Sequence, residues 1–252
     1  MVNQLLLANK RHHDQPSHAH FVAKAALACF RDLSAQAVAH EVSQQSLAAL
    51  DERERALIER SSPQRQLEFA AGRQCAREAL TARGSASGPI LSGPAREPLW
   101  PAGVVGSISH TSGVALAVVA SADDASGLGV DVEHIREEWS QDELQLVLRA
   151  SEAEFAERLT DSQRAFVLTA LFASKESLFK CLYPTVRTYF DFLDAATLSL
   201  AWRSRLQLEV ELALVHPIGP LRAGFRVSGR VIRTGSLVVA GCAIAERSER
   251  EA

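Results

Sequence analysis

The chain predicts an α+β fold built as two lobes. Three observations carry that expectation. Helical and strand patterns occur in both halves of the 252 residues. The strands are short, and polar turns separate them as in antiparallel neighbours. A polar turn over 121–126 falls near the midpoint and divides an N-terminal lobe, 1–124, from a C-terminal lobe, 125–252. Each lobe of about 120 residues is long enough to bury its own core.

Residues 1–20 read as a solvated tail leading into a strand; Arg11, His12, His13, His18 and His20 stand there in no standard metal spacing. The stretch 21–30 is apolar without clear period. Residues 45–60 read as a helix on Leu47, Leu50, Ala56 and Leu57. Ser61 or Ser62 caps a second helix, Pro63 suits its first turn, and Gly84 stops it after 82. Its apolar side is Leu67, Ala70, Ala71, Cys75 and Leu80. A Gly-, Ser- and Pro-rich loop covers 84–98. Strands follow at 104–109, 113–120 and 127–133, the middle one an unbroken apolar run suited to burial.

In the second half, helices are expected over 140–149, 151–159 and 163–182. Pro184 ends the last, because proline disfavours helix in the residue before it. Leu206, Leu208, Val210, Leu212 and Leu214 alternate with mostly polar residues, as in a half-buried strand. Strands over 223–231 and 237–245 complete the lobe, which holds three or four. The tail after Glu246 is charged.

The chain is 47% hydrophobic and carries 27 Lys plus Arg against 30 Asp plus Glu, a net charge of −3. That balance argues against general nucleic-acid binding. No apolar run can span a bilayer, and the stretch from Leu5 to Ala8 is too short for a signal-peptide core, so the expectation is a cytoplasmic protein. Cys29, Cys75, Cys181 and Cys242 are scattered in apolar surroundings, as buried reduced thiols rather than zinc ligands.

Four constellations carry chemistry. In the strand Gly-Leu-Gly-Val-Asp131-Val-Glu133, alternation sends Leu128, Val130 and Val132 to one face and both carboxylates to the other, roughly 7 Å apart. Two acids so placed suit a divalent cation, and also a solvent-facing strand end. On the long helix, Glu176 and Lys180 are one turn apart, either a surface ion pair or part of a metal–phosphate site. Ser109 and His110 lie between two strands, as a phosphate contact or as ordinary hairpin composition. No G-x-S-x-G elbow supports a nucleophile–base pair. Arg73, Arg77 and Arg96 supply planar donors for phosphate, although Arg77 reads as part of a solvated helix face.

Gly-Val-Asp131-Val-Glu133 is followed about forty residues on by Phe172-x-x-Lys175-Glu176-Ser-x-x-Lys180. This pair resembles the signature of Sfp-type 4'-phosphopantetheinyl transferases. Leu67-Glu-Phe-Ala-Ala-Gly72-Arg73, Arg96-Glu-Pro-Leu-Trp100-Pro and Gly-Ser-Ile-Ser109-His110 resemble their enterobactin synthase component D branch. The likeness covers about residues 60 to 195. It departs at Phe172, where the family often has Trp, and at Arg96-Glu97-Pro98, where Gly-Lys-Pro is common.

The resemblance implies two lobes related by a pseudo-twofold axis, with coenzyme A between them and an apo acyl or peptidyl carrier protein beside the cleft. It implies a monomer. Asp131, Glu133 and Glu176 would hold Mg²⁺ against the coenzyme A pyrophosphate, and Lys180 would contact the phosphate. Arg73, Arg96, Ser109 and His110 would secure the 3'-phosphate end. Glu176 would take the carrier serine's proton, with Glu133 the second choice. A Mg²⁺-dependent phosphoesterase and a non-catalytic carrier-binding module are the alternatives.

Overall fold

The computed structural model describes residues 17–86 and 88–245. The expectations on Leu5 to Ala8, on Arg11, His12 and His13, and on the charged C-terminal tail lie outside the described residues. The fold is α+β, as expected, with two antiparallel sheets and a long helix laid on each.

The first element corrects the reading of a tail entering a strand. Helix α1, His18–Cys29, begins at Ser17, whose side chain accepts the His20 amide. Ala19, Val22, Ala25, Ala26 and Cys29 recur at three- and four-residue spacing and form its buried stripe. A strand, β1 (Gln36–Glu41), then leads to two short helices, α2 (Gln44–Ala48) and α3 (Glu52–Ala56), where a single helix over 45–60 was expected. The break comes from Asp51, which opens a capping box with Glu54 and so starts a new helix. Helix α4, Pro63–Ala82, matches its expected bounds, with Ser62 as cap and Gly84 beyond its end at φ +79°.

Strands β2 (Val104–Thr111) and β3 (Val114–Ser121) complete a sheet of order β1-β3-β2. Helix α4 covers one face of β3, at Ala115, Ala117 and Val119. Helix α1 covers the other, at Val114, Leu116, Val118 and Ala120. That double cover explains the unbroken apolar run of this strand.

Strand β4 (Ala125–His134) opens the second sheet. Helices α5 (Gln141–Val147), α6 (Ala150–Glu157) and α7 (Asp161–Val186) follow. Helix α7 runs through Pro184, past its expected end. The proline forfeits its hydrogen bond only in the last turn, Val186 is buried, and Arg187 closes the helix in the left-handed region at φ 50°. Strands β5 (Ala195–Ser204), β6 (Gln207–Leu214), β7 (Arg226–Thr234) and β8 (Leu237–Ala245) give the order β4-β8-β7-β6-β5. Leu206, expected in β6, sits exposed in the turn before it.

Two features place the cleft. Strands β2 and β4 meet through side chains: Ser107 Oγ accepts the Val130 amide at 3.0 Å, and Ser109 Oγ accepts the Val132 amide at 3.3 Å. Helix α7 lies so close on β4 that a Cβ at Gly129 would fall 1.8 Å from the Ser177 carbonyl oxygen. All four cysteines are buried free thiols.

Candidate active site

A cleft of about 1040 Å³ opens where β2, β4, α4 and α7 meet. Asp131, Glu133, Glu176 and Lys180 line it together with Arg73, Arg96, Ser109 and His110, so every site residue named from the sequence reaches this one space. A smaller hollow of about 570 Å³ under α1 contains none of them; there Arg230 pairs with Asp32 and Glu209.

The acidic end is built by one strand and one helix. Strand alternation carries Asp131 and Glu133 to the cleft side of β4, and helical spacing carries Glu176 and Lys180 to the same side of α7. The surface ion-pair reading of Glu176 and Lys180 fails here, because Lys180 turns to β4 instead. Its Nζ donates to Asp131 Oδ1 at 2.6 Å, to Ser109 Oγ at 3.1 Å and to the Val130 carbonyl at 3.3 Å. Ser109 Oγ donates to the same Asp131 Oδ1 at 2.7 Å. Asp131 Oδ2 is buried with no hydrogen-bond partner among the described residues.

Burial, then the neighbouring Asp131 carboxylate, pushes the Glu133 carboxyl up to about 7, with Lys180 offsetting part. Thr111 Oγ1 donates to Glu133 Oε2 at 3.5 Å. Burial also raises Glu176, again partly offset by Lys180. No three His, Cys, Asp or Glu side chains among the described residues stand as a closed metal cage. A bare buried oxygen and a half-buried carboxyl held near neutrality fit a hard cation whose remaining ligands come from phosphate and water.

The other end is cationic. Arg73 is buried, stacks over the Phe69 ring at 4.3 Å, and donates to Ser92 Oγ at 3.0 Å. Burial lowers its guanidinium to about 10. Arg96 is exposed at the rim, with φ 68°. His110 sits between Arg65, which donates to Nε2, and Glu68, whose carboxylate is 3.4 Å from Nδ1. Burial first and Arg65 second lower the His110 imidazole, and Glu68 offsets part of that. Arg77, read as part of a solvated face, instead turns inward to the fully buried Glu54 and to the Ala49 carbonyl.

Sequence reading missed Arg65 and Glu68. Arg65 precedes Arg73 by eight residues, two helical turns and roughly a quarter-turn, which was the available signal. It also assigned no task to Lys175. That side chain is buried and donates to Glu152 at 2.6 Å and to the Val147 carbonyl at 2.8 Å. It ties α7 to α6 one residue before Glu176.

Residues 53–120 match the 4'-phosphopantetheinyl transferase N-terminal domain, and residues 127–218 match the 4'-phosphopantetheinyl transferase superfamily. The chain is 41% identical over 144 residues to 4'-phosphopantetheinyl transferase Svp of Streptomyces mobaraensis, covering 56% of this chain and 58% of that protein. It is 32% identical over 191 residues to 4'-phosphopantetheinyl transferase PptT of Mycobacterium tuberculosis, 71% of this chain and 81% of that protein. With enterobactin synthase component D of Escherichia coli O157:H7 it shares 36% over 167 residues, 64% of this chain and 75% of that protein.

Proposed function

The chain belongs to the 4'-phosphopantetheinyl transferase superfamily, and we propose that its cleft moves the phosphopantetheine of coenzyme A onto a serine of an apo acyl or peptidyl carrier protein. The observation that carries this reading is the polarity of the cleft, with three carboxylates and a lysine at one end and arginines beside His110 at the other. Coenzyme A has matching ends, a pyrophosphate and a 3'-phosphate. The lobes are residues 1–124 and 125–252, and the cleft runs along their seam.

Asp131, Glu133 and Glu176 would hold Mg²⁺. Bound there, it would offset charge that grows on the pyrophosphate oxygens as the bond breaks. Arg65, Arg73 and Arg96 anchor the 3'-phosphate end, where guanidinium forks match phosphate oxygens. Ser109 acts on the other side of the site, holding Asp131 and Lys180 in register. Lys180 keeps a positive charge at the reacting phosphate and pairs the buried Asp131.

The carrier serine Oγ forms a bond to the phosphorus next to pantetheine. The bond from that phosphorus to the pyrophosphate bridging oxygen breaks, and adenosine 3',5'-bisphosphate leaves. The serine proton passes to Glu176 as general base, with Glu133 the second choice. The protein acts as a monomer in the cytoplasm. Among the described residues, no helix is long and apolar enough to cross a membrane. The likeness to enterobactin synthase component D makes a peptidyl carrier of siderophore synthesis the first partner to test.

Intact mass of an apo-carrier after incubation with protein, coenzyme A and Mg²⁺ tests the reading. A gain of one phosphopantetheine, lost with chelator and lost in Asp131→Ala and Glu176→Ala, is expected. Near-normal transfer by either variant, with Mg²⁺ present, overturns the assignment of that carboxylate.

A further inference from the structure

Only two described non-glycine residues occupy the left-handed backbone region, Arg96 at φ 68° and Arg187 at φ 50°. They stand 91 positions apart in sequence yet flank the same carboxylate. Glu97, next to Arg96, accepts Arg187 Nη1 on Oε1 and the Ala95 amide on Oε2 at 3.0 Å. The Glu97 side chain is 10% exposed. It folds under its own turn, so a Cβ at Gly93 would fall 2.3 Å from Glu97 Oε1. The backbone closes the same turn: Gly93 N donates to the Glu97 carbonyl at 2.8 Å, and Arg96 N donates to the Gly93 carbonyl at 2.9 Å. Arg96 is therefore the tip of a tight hairpin whose carboxylate core is held from the other lobe, by the residue that closes α7.

We propose that the Glu97–Arg187 pair is an inter-lobe latch that positions Arg96 for the 3'-phosphate of coenzyme A. The proposal rests on the assignment of Arg96 to that phosphate. Two physical demands meet in one contact. A bare carboxylate beside Arg96 would repel an incoming phosphate, and Arg187 neutralises it. A loop tip in a disfavoured backbone conformation persists only where its surroundings hold it, and the latch supplies that hold. Arg187 comes from the end of the helix that carries Glu176 and Lys180, so the two ends of the coenzyme A site are set by one rigid element.

The test compares coenzyme A with 3'-dephospho-coenzyme A as substrates of the full-length enzyme, in Arg96→Gln, Glu97→Gln, Arg187→Gln and the Glu97→Gln/Arg187→Gln pair. Glutamine at 97 can still accept the Ala95 amide. Arg96→Gln should raise the KM for coenzyme A about tenfold and leave the KM for the dephospho substrate unchanged. Arg187→Gln, which also bares the carboxylate, should raise the coenzyme A KM by roughly two- to fivefold, and Glu97→Gln, which loses the latch but also removes the repelling charge, by a smaller factor, with kcat and the dephospho KM unmoved in both. The double variant should be no worse than either single one, as coupled partners require. If Arg96→Gln discriminates between the substrates and the other two do not, the latch is wrong and the Arg96 assignment stands. If Arg96→Gln itself fails to discriminate, that assignment falls and the latch falls with it.

Discussion

Asp131 has one carboxylate oxygen bonded to both Lys180 and Ser109 and the other buried with no hydrogen-bond partner among the described residues. Burying such an oxygen is costly unless something compensates it, and the neighbouring Glu133 is already pushed up to about 7 by burial and by Asp131. Between the ordinary 4.5 and about 7, the folded metal-free protein holds a proton on Glu133 that the unfolded chain has lost. The stabilisation from that group is therefore full below 4.5 and declines as pH rises through about 7. Metal binding runs the other way, since the ligand must be ionised. Lowering the pH from about 8 to about 6 should raise the half-saturating Mg²⁺ concentration roughly tenfold. Mg²⁺ titration of the transfer rate at each pH checks this, with Glu133→Gln alongside. An unchanged pH slope in that variant would assign the proton to another group. The carboxylate pair was legible from strand alternation alone, but the bond of Ser109 to Asp131 was not, because it joins positions 22 residues apart.

Helix α7 and strand β4 place the acidic end only because glycine separates them. Gly127 and Gly129 face the helix, where added Cβ atoms would meet the Cys181 carbonyl oxygen at 2.6 Å and the Ser177 carbonyl oxygen at 1.8 Å. Both of these are backbone atoms of α7, so the helix itself would have to move. Gly129→Ala should cost at least ~2 kcal/mol of stability through overpacking. It should also lower transfer sharply, because Glu176 and Lys180 travel with the helix. Thermal melting and transfer rate read the two effects, and a variant that keeps both would mean the contact relaxes without moving α7. The Lys175–Glu152 pair resists such movement. Glu152 is buried and also accepts the Arg149 and Thr197 amides at 2.9 Å, so α6, α7 and β5 converge on one carboxylate. Losing either partner would strand a buried charge.

The lobes do not have wholly separate interiors. Helix α1 packs Val22 and Ala26, with Phe30 at its C-terminal cap, into a core that joins Leu116 and Val118 of the first sheet to Leu128, Val130 and Val239 of the second. The Ser107 and Ser109 bonds to β4, the Lys180 contacts and the Glu97–Arg187 pair cross the same seam. Unfolding should therefore be one cooperative transition, with circular dichroism and tryptophan fluorescence giving the same midpoint in urea. Trp100 precedes the first-lobe strand β2 and Trp139 and Trp202 follow the turn after β3, so separate lobe transitions would appear as divergent midpoints.

Helix α4, the buried run of β3, the carboxylate face of β4 and the Glu176–Lys180 spacing on α7 were all legible in the chain, because each repeats with the period of its own backbone. The family motifs were legible for the same reason, being short and local. The paths of α1, of the split pair α2 and α3, and of α7 through Pro184 were not. They depend on what lies opposite: a two-sheet core, a capping carboxylate, a buried Val186. The partners of Lys180, Arg77, His110 and Arg187 were likewise beyond local reading. A charged side chain pairs with whatever the fold brings within about 4 Å of it, and that proximity is set by packing between distant segments rather than by spacing along the chain.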